Sequence, residues 1–405
     1  MIKKVKTEQL KPGMFVHDFN CGWLNHPFLR NRILLKCDAE IEKIIEHQIK
    51  DVYIDTDHGL DADEAPTKQF VSEVIQKDLN KLQPVNAPRG SVPLAAEIEH
   101  AKHLLHDSKR ETQILMDTVR LGMKLDLPQV EVVVDKMTES VLRNKHALVS
   151  LSRIKNKDEY TYLHSLSVAA LCISFANHLG MGAKQIKALG VGGLLHDIGK
   201  VNVPSELLNK AGTLSEAEFE IMKTHVAHGE RILRETSGID EFSICVCQHH
   251  HERLDGTGYP NGLKAGEISE FGQIGAIVDI YDALSSERCY KGALPPTEAL
   301  KKLFEWSGPY LNRRLVEQFV LHMGIYPVGT LVRLRSGFIG VVVEQGERSL
   351  LDPVVRALYD TKREKPVIPF EINLSSRPAG QQLDEIVACE APEAWNLHPE
   401  KFLAA

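Results

Sequence analysis

The sequence predicts a multidomain, mainly α-helical protein. An all-α helical bundle is expected over residues 141–326, after a small α/β module with a helical linker over 1–140 and before a small β-rich subdomain over 327–405. Three observations carry this reading. Residues 145–326 place apolar residues at helical intervals with few strand signals. After Tyr326 the apolar period shortens to two and valine accumulates. The length, 405 residues, exceeds one typical domain.

In order, GMFVHDF and DVYIDT have strand-like content. Between them, Ile41, Ile44, Ile45 and Ile49 recur at helical spacing. His17 and His26 in this module read as surface or packing residues. The polar run TDHGLDADEAPTKQ reads as a loop, and Pro84, Pro88 and Pro93 mark a linker. From Ala95 to Asn144 the pattern is helical with a break near Leu127-Pro128. His100, His103 and His106 fall on one face of it, read as a polar surface.

The bundle follows. HSLSVAALCISFANHLG closes with Gly180 as a C-cap. KQIKALGVGGLLHDIGK comes next. SEAEFEIMKTHVAHGERIL opens with a capping box of Ser215 and Glu218. FGQIGAIVDIYDALSS and PTEALKKLFEW complete the set. Beyond it, GTLVRLRSGFIGVVVEQ reads as a β-hairpin, DPVVRALYD and PFEINL as further strands, and APEAWNLHPEKFLAA as a final short helix.

Composition narrows the function classes. A hydrophobic fraction of 43% and a charged fraction of 25% are those of ordinary globular protein. A net charge of -7 argues against a nucleic-acid polymer as partner. No apolar run reaches membrane-spanning length, and the basic start lacks the apolar stretch of a secretory signal. Seven cysteines without a repeating spacing point to a reduced, cytoplasmic protein.

The chemistry concentrates in His196-Asp197 with Lys200, and in HHHERLDGTGYP from His249 to Pro260. Imidazole and carboxylate together suit divalent transition metals. Neighbours on a helix do not face each other, so the His-Asp pair either feeds two positions around a metal pair or sits at a helix end. The candidate ligands are His164, His196, Asp197, His225, His250, His251 and Asp279, in separate helical segments. Five imidazoles and two carboxylates suit two ions sharing a carboxylate and a solvent species. Lys200, read as one helical turn past His196, is placed to neutralise phosphate charge or hold a hydroxide. Asp282, three after Asp279 on one face, and Arg288 and Lys291 beyond it are candidate substrate contacts.

These motifs, with YTYLHSLSVA and KTHVAHGERIL, closely resemble the HD-GYP family of metal-dependent phosphohydrolases over residues 145–325. The resemblance implies an HD-type bundle that hydrolyses cyclic di-GMP to pGpG, GMP or both through a metal-bridging hydroxide. That is a bacterial second-messenger activity tied to biofilm and motility. It implies that His164, His196, Asp197, His225, His250, His251 and Asp279 hold the metals, with Asp197 bridging and Lys200 near the hydroxide. Arg288, Lys291 and Tyr259 then meet substrate, and the loop carrying Tyr259 is a proposed contact for diguanylate cyclase (GGDEF) domains. A glutamate that serves a third metal in some members would fall at Tyr160, with Glu159 one residue off, so two metals are expected. Iron or manganese is favoured; zinc and nickel are alternatives. The start, KVKTEQLKPGMFVHDF, resembles a domain of unknown function found before HD-GYP domains; regulation or homodimerisation is its expected role. The competing readings are a cyclic di-GMP sensor or scaffold with little turnover, and a phosphohydrolase for another cyclic nucleotide.

Overall fold

The computed structural model describes residues 1–21, 28, 31–83, 92–152, 160–210, 212, 214–286, 293–346, 349–376 and 384–403. Two compact units emerge: Met1–Asp78 with Val203–Thr224, and Leu79–Asn202 with His225–Ala405.

In the first unit, β1 (Ile2–Lys6), β2 (Phe15–Asp18), β3 (Ile33–Leu34) and β4 (Asp51–Asp55) form an antiparallel sheet in the order β1-β4-β2-β3. Helix α1 (Asp38–Glu46) buries Ile41 and Ile44 against Val5, Val16 and Val52. Ile45, expected on the same stripe, is half exposed, because it lies one residue, about 100°, round from Ile44. Helix α2 (Lys68–Asn80) was not anticipated: its sequence is polar and buries only Leu79.

The second unit starts with α3 (Leu94–Arg120) and α4 (Leu127–Arg143). Asp126 caps α4 and Pro128 occupies its first turn, so the expected break is the gap of residues 121–126. His100, His103 and His106 are all exposed on α3, as a polar face would be. The two helices pack on those that follow, within the compact unit that starts at Leu79. Their apolar stripes, such as Val130, Val133, Val134 and Met137 on α4, supply the physical reason: they are buried in this unit's core.

Next come α5 (Ala147–Ser152), α6 (Tyr160–His178) and α7 (Ala183–Leu195). The short α8 (Ser205–Leu208) belongs to the first unit, and α9 runs from Glu216 to Arg234 with the Ser215–Glu218 capping box formed as read. Then follow α10 (Glu241–His249), α11 (Glu270–Ser285), α12 (Pro296–Trp306) and α13 (Arg313–Met323). Helices α6, α7, α10 and α11 pack in a closed circuit, with α4 over α6 and α7. Glycines in LGVGGLL permit this. A Cβ on Gly190 would lie 2.7 Å from a Val134 methyl, and one on Gly192 2.8 Å from Val246. The helices thus approach close enough for their ends to share one site.

The chain ends in a five-stranded antiparallel sheet. Its strands are β5 (Leu331–Leu334), β6 (Phe338–Glu344), β7 (Val354–Asp360), β8 (Lys365–Asn373) and β9 (Ile386–Cys389), in the order β8-β7-β6-β5-β9. The predicted hairpin is β5–β6, pairing Leu331 with Val341 around Gly337 in the left-handed region. Helix α14 (Pro392–Trp395) follows. No described helix is long and apolar enough to cross a membrane.

Candidate metal centre

Helix α7 stops at Leu195, His196 is its C-cap, and residues Ile198–Asn202 turn into a 3-10 helix. That ending resolves the His-Asp pair. Off the helix, both side chains turn toward the same interior point, with His196 Nε2 3.3 Å from Asp197 Oδ2. It also corrects the placement of Lys200, which lies in the 3-10 turn and sets its ammonium 2.5 Å from Asp197 Oδ2. The turn can exist only because residue 199 is glycine: a Cβ there would overlap the His225 carbonyl oxygen and the Gly229 amide nitrogen of α9.

Two ligand groups result. One is His164, His196 and Asp197; the other is Asp197, His225, His250 and His251. Within each, the ligand atoms lie within 4.8 Å of one another. Asp197 belongs to both. Its Oδ2 is 3.7 Å from His164 Nε2, and its Oδ1 is 3.4 Å and 3.9 Å from Nε2 of His225 and His250. Asp279, on α11, joins the first group with Oδ1 3.1 Å from His164 Nε2 and 3.8 Å from His196 Nε2.

Three of the imidazoles are oriented from behind. His164 Nδ1 donates to Asp282 Oδ2 at 2.6 Å, His196 Nδ1 to the Gly193 carbonyl at 2.8 Å, and His250 Nδ1 to the Cys247 carbonyl at 2.8 Å. A carbonyl oxygen only accepts, so in His196 and His250 Nδ1 carries a proton and Nε2 is the nitrogen that faces the cluster. That is the orientation a metal needs.

The electrostatics show how the charges of the site depend on one another: burial lowers His196, but Asp197 and Asp279 outweigh it and raise the imidazole above its ordinary value. Burial opposes ionisation of Asp197, but Lys200 and His196 outweigh it and hold the carboxyl well below its ordinary range. Asp279 is also held low, by His164 against the cost of burial. Burial drives His250 down to about 3 and His251 well below its ordinary value, so both stay neutral and able to ligate. Among the described residues, His196 Nε2, Asp197 Oδ1 and His250 Nε2 are buried with no hydrogen-bond partner. Buried polar atoms facing one another in this way fit a divalent cation, which would satisfy them all.

The chain is similar to known proteins along nearly all of its length. A family model described as HD domain matches residues 137–315, and one described as a domain of unknown function (DUF3391) matches residues 2–130. A cyclic di-GMP phosphodiesterase of Pseudomonas aeruginosa is 40% identical over 402 residues, 98% of this chain and 94% of that protein. The chain belongs to the HD-GYP phosphodiesterase family. A cyclic di-GMP phosphodiesterase of Thermotoga maritima is 39% identical over 165 residues, 40% of this chain and 45% of that one. A 3'3'-cGAMP-specific phosphodiesterase of Vibrio cholerae is 37% identical over 157 residues, 38% of this chain and 36% of that one.

The loop that gives the HD-GYP family part of its name is built from within. Glu252 is buried, and its carboxylate accepts the amides of Asn261 at 2.8 Å and Leu263 at 3.0 Å. The Tyr259 amide donates to the His251 carbonyl at 3.2 Å, and the Tyr259 ring stacks on the His251 imidazole at 4.5 Å. Gly258 lies so close to the backbone of His251, Glu252 and Arg253 that a Cβ would overlap it.

All seven expected ligands therefore converge, with Lys200 beside them and Tyr259 against His251. Asp282 is a correction: it was expected at the substrate, but it is fully buried and committed to His164 and to the Ser167 hydroxyl. Arg288, Lys291, His26 and Glu159 lie outside the described residues, as does the side chain of Tyr160. Ser167, Cys247 and Glu252 support the site; Glu252 was seen within HHHERLDGTGYP but given no role, and Ser167 and Cys247 were not read as site residues. Ser167 carried one faint signal, its place three residues after His164 on the same helix face. Cys247 carried none, since a small buried residue on a helix reads as packing.

Proposed function

We propose that this chain hydrolyses cyclic di-GMP to pGpG, and onward to GMP, with two divalent cations held by His164, His196, Asp197 and Asp279 on one side and Asp197, His225, His250 and His251 on the other. The observation that carries this is the sharing of Asp197 between the two ligand groups. Two-ion sites serve in-line displacement at phosphorus. Bound there, the cations would supply Lewis acidity to the phosphoryl oxygens and would make an attacking water more acidic. Iron or manganese suits the mixed imidazole and carboxylate set.

The chain's own residues do the rest. Asp197 and Asp279, ionised by their neighbours, supply negative charge that fixes the cations. Lys200, held on Asp197, offers positive charge where phosphate charge builds up. Tyr259 covers His251 and shapes the wall beside it. Arg288 and Lys291 are proposed to grip the phosphates. Water adds to phosphorus, the P–O3′ bond breaks, and the 3′ oxygen leaves with a proton.

A second reading, hydrolysis of another cyclic dinucleotide, is favoured by the likeness to 3'3'-cGAMP-specific phosphodiesterases of Vibrio cholerae. One experiment tests both. Protein purified without oxygen is analysed for metal and assayed against a panel of cyclic dinucleotides, with products separated. Cyclic di-GMP turnover with about two metals per chain supports the proposal. Preferential cleavage of a hybrid dinucleotide supports the second reading. Tight binding without product defeats both and favours a sensor.

A further inference from the structure

A second cluster of basic side chains lies apart from the metal centre, among α5, α6, α13 and the end of β6. Lys145 and His146 stand before α5, His178 ends α6, His322 is on α13, and Gln345 follows β6. Lys145, His146, His322 and Val328 are among the residues lining a cavity of about 10 Å³. The rings of His178 and His322 are 5.0 Å apart. Lys145 Nζ is 3.3 Å from Gln345 Oε1, and the Gln345 amide donates to the His322 carbonyl at 3.0 Å.

Among the described residues no carboxylate pairs with this cluster. Burial acts most on His322, and every charge that reaches it is another base: Lys145, His178 and His146. Burial and then Lys145 likewise depress His146 and His178, with Gln318 a neutral partner of the latter. Among the described residues Lys145 makes no ion pair. The Nδ1 atoms of His178 and His322 are buried without hydrogen-bond partners, and His322 is 3% exposed. The cluster does not resemble a cation site. It lacks an acid, and among the described residues only the two groups at the metal centre gather ligand atoms within 4.8 Å.

We propose that this cavity binds a monovalent inorganic anion of chloride size. Lys145 sits half-buried beside three imidazoles with no counter-charge among the described residues, and an anion would supply what the cluster lacks. The cavity is small, about 10 Å³, which favours a single-atom ion over a phosphate. The anion would take hydrogen bonds from Lys145 and from an imidazole N–H of His322 or His146, and uptake of a proton by either ring on binding would make the affinity rise as pH falls. It would also tie α13 and the end of β6 to the start of α5.

The test uses the full chain with its metals. Thermal stability is compared in sodium chloride and sodium gluconate at equal ionic strength, at pH 6 and pH 8. Chloride is expected to raise Tm by about 2–4 °C at pH 6, the shift for occupancy several times above Kd in a domain of this size. The shift should shrink at pH 8 and vanish in Lys145→Gln. A bromide-soaked crystal of the unaltered chain, which needs no variant to fold, should show an anomalous peak between Lys145 and His322. Equal stability in both salts, or density there for water alone, would overturn the proposal.

Discussion

The Asp282 carboxylate lies 2.6 Å from His164 Nδ1, and both groups are cut off from solvent. The pairing spans the bundle, from α11 to α6, and fixes which nitrogen His164 presents to the cluster. Asp282→Asn keeps the shape but weakens the acceptor behind the ligand. Metal affinity should fall by about 10–100-fold. Metal retention during titration with a chelator measures this, with circular dichroism as the check on folding; unchanged retention would remove the positioning role.

Asp197 should be the most costly single loss. Asp197→Asn weakens both ligand groups at once and leaves Lys200 without its partner. Turnover should drop on the order of 10³-fold or more, with metal content falling toward zero. Steady-state assay paired with elemental analysis reads both. A well-folded variant that keeps two metals and most of its activity contradicts the shared role.

Gly199→Ala tests the close approach of the 3-10 turn to α9. The added methyl overlaps the backbone at His225 and Gly229, and backbone cannot rotate away as a side chain can. A destabilisation of about 3 kcal/mol is expected. Urea denaturation of the two proteins gives the difference directly.

Stripping the metals should destabilise the second unit. At a metal concentration 100 times Kd, the linkage is about 2.7 kcal/mol, so a chelator should lower Tm by roughly 5–10 °C. Adding back a divalent cation should restore it. A Tm indifferent to chelator would mean that the ligands are held by packing alone.

His146 predicts an acid-sensitive term. Its folded pKa is about 3, pushed down by burial and by Lys145, against an unfolded value near 6.5. Between those two values the unfolded chain binds the extra proton. Stability therefore rises with pH across this window and is lost as pH falls from about 6.5 toward 3. In chloride-free buffer, His146→Gln should flatten the dependence of the urea midpoint by up to about 1.4 kcal/mol per pH unit.

The residues that converge at the centre were readable because each sits in a strongly periodic helix or at its end, and because histidine and aspartate in that number have few structural uses. What was not readable depends on contacts distant in sequence. The commitment of Asp282 to His164 crosses 118 positions, and spacing from Asp279 alone suggested a substrate contact. Lys200 was misplaced on a continuing helix, since nothing local in HDIGK announces a change to a tighter turn; the cause is the backbone of α9. The packing of α3 and α4 on the later helices was not anticipated, because the proline-rich segment before them looked like part of a longer linker. Polar α2 gave no stripe to detect.

The edge of the C-terminal sheet has one further consequence. Strand β8 is an outer strand and carries Pro366 and Pro369. Neither has an amide hydrogen to offer, so an incoming strand could not zip along that side. The exposed Ile368 between them is thereby kept from seeding fibrillar association, and any self-assembly through this sheet would have to begin at the four residues of β9.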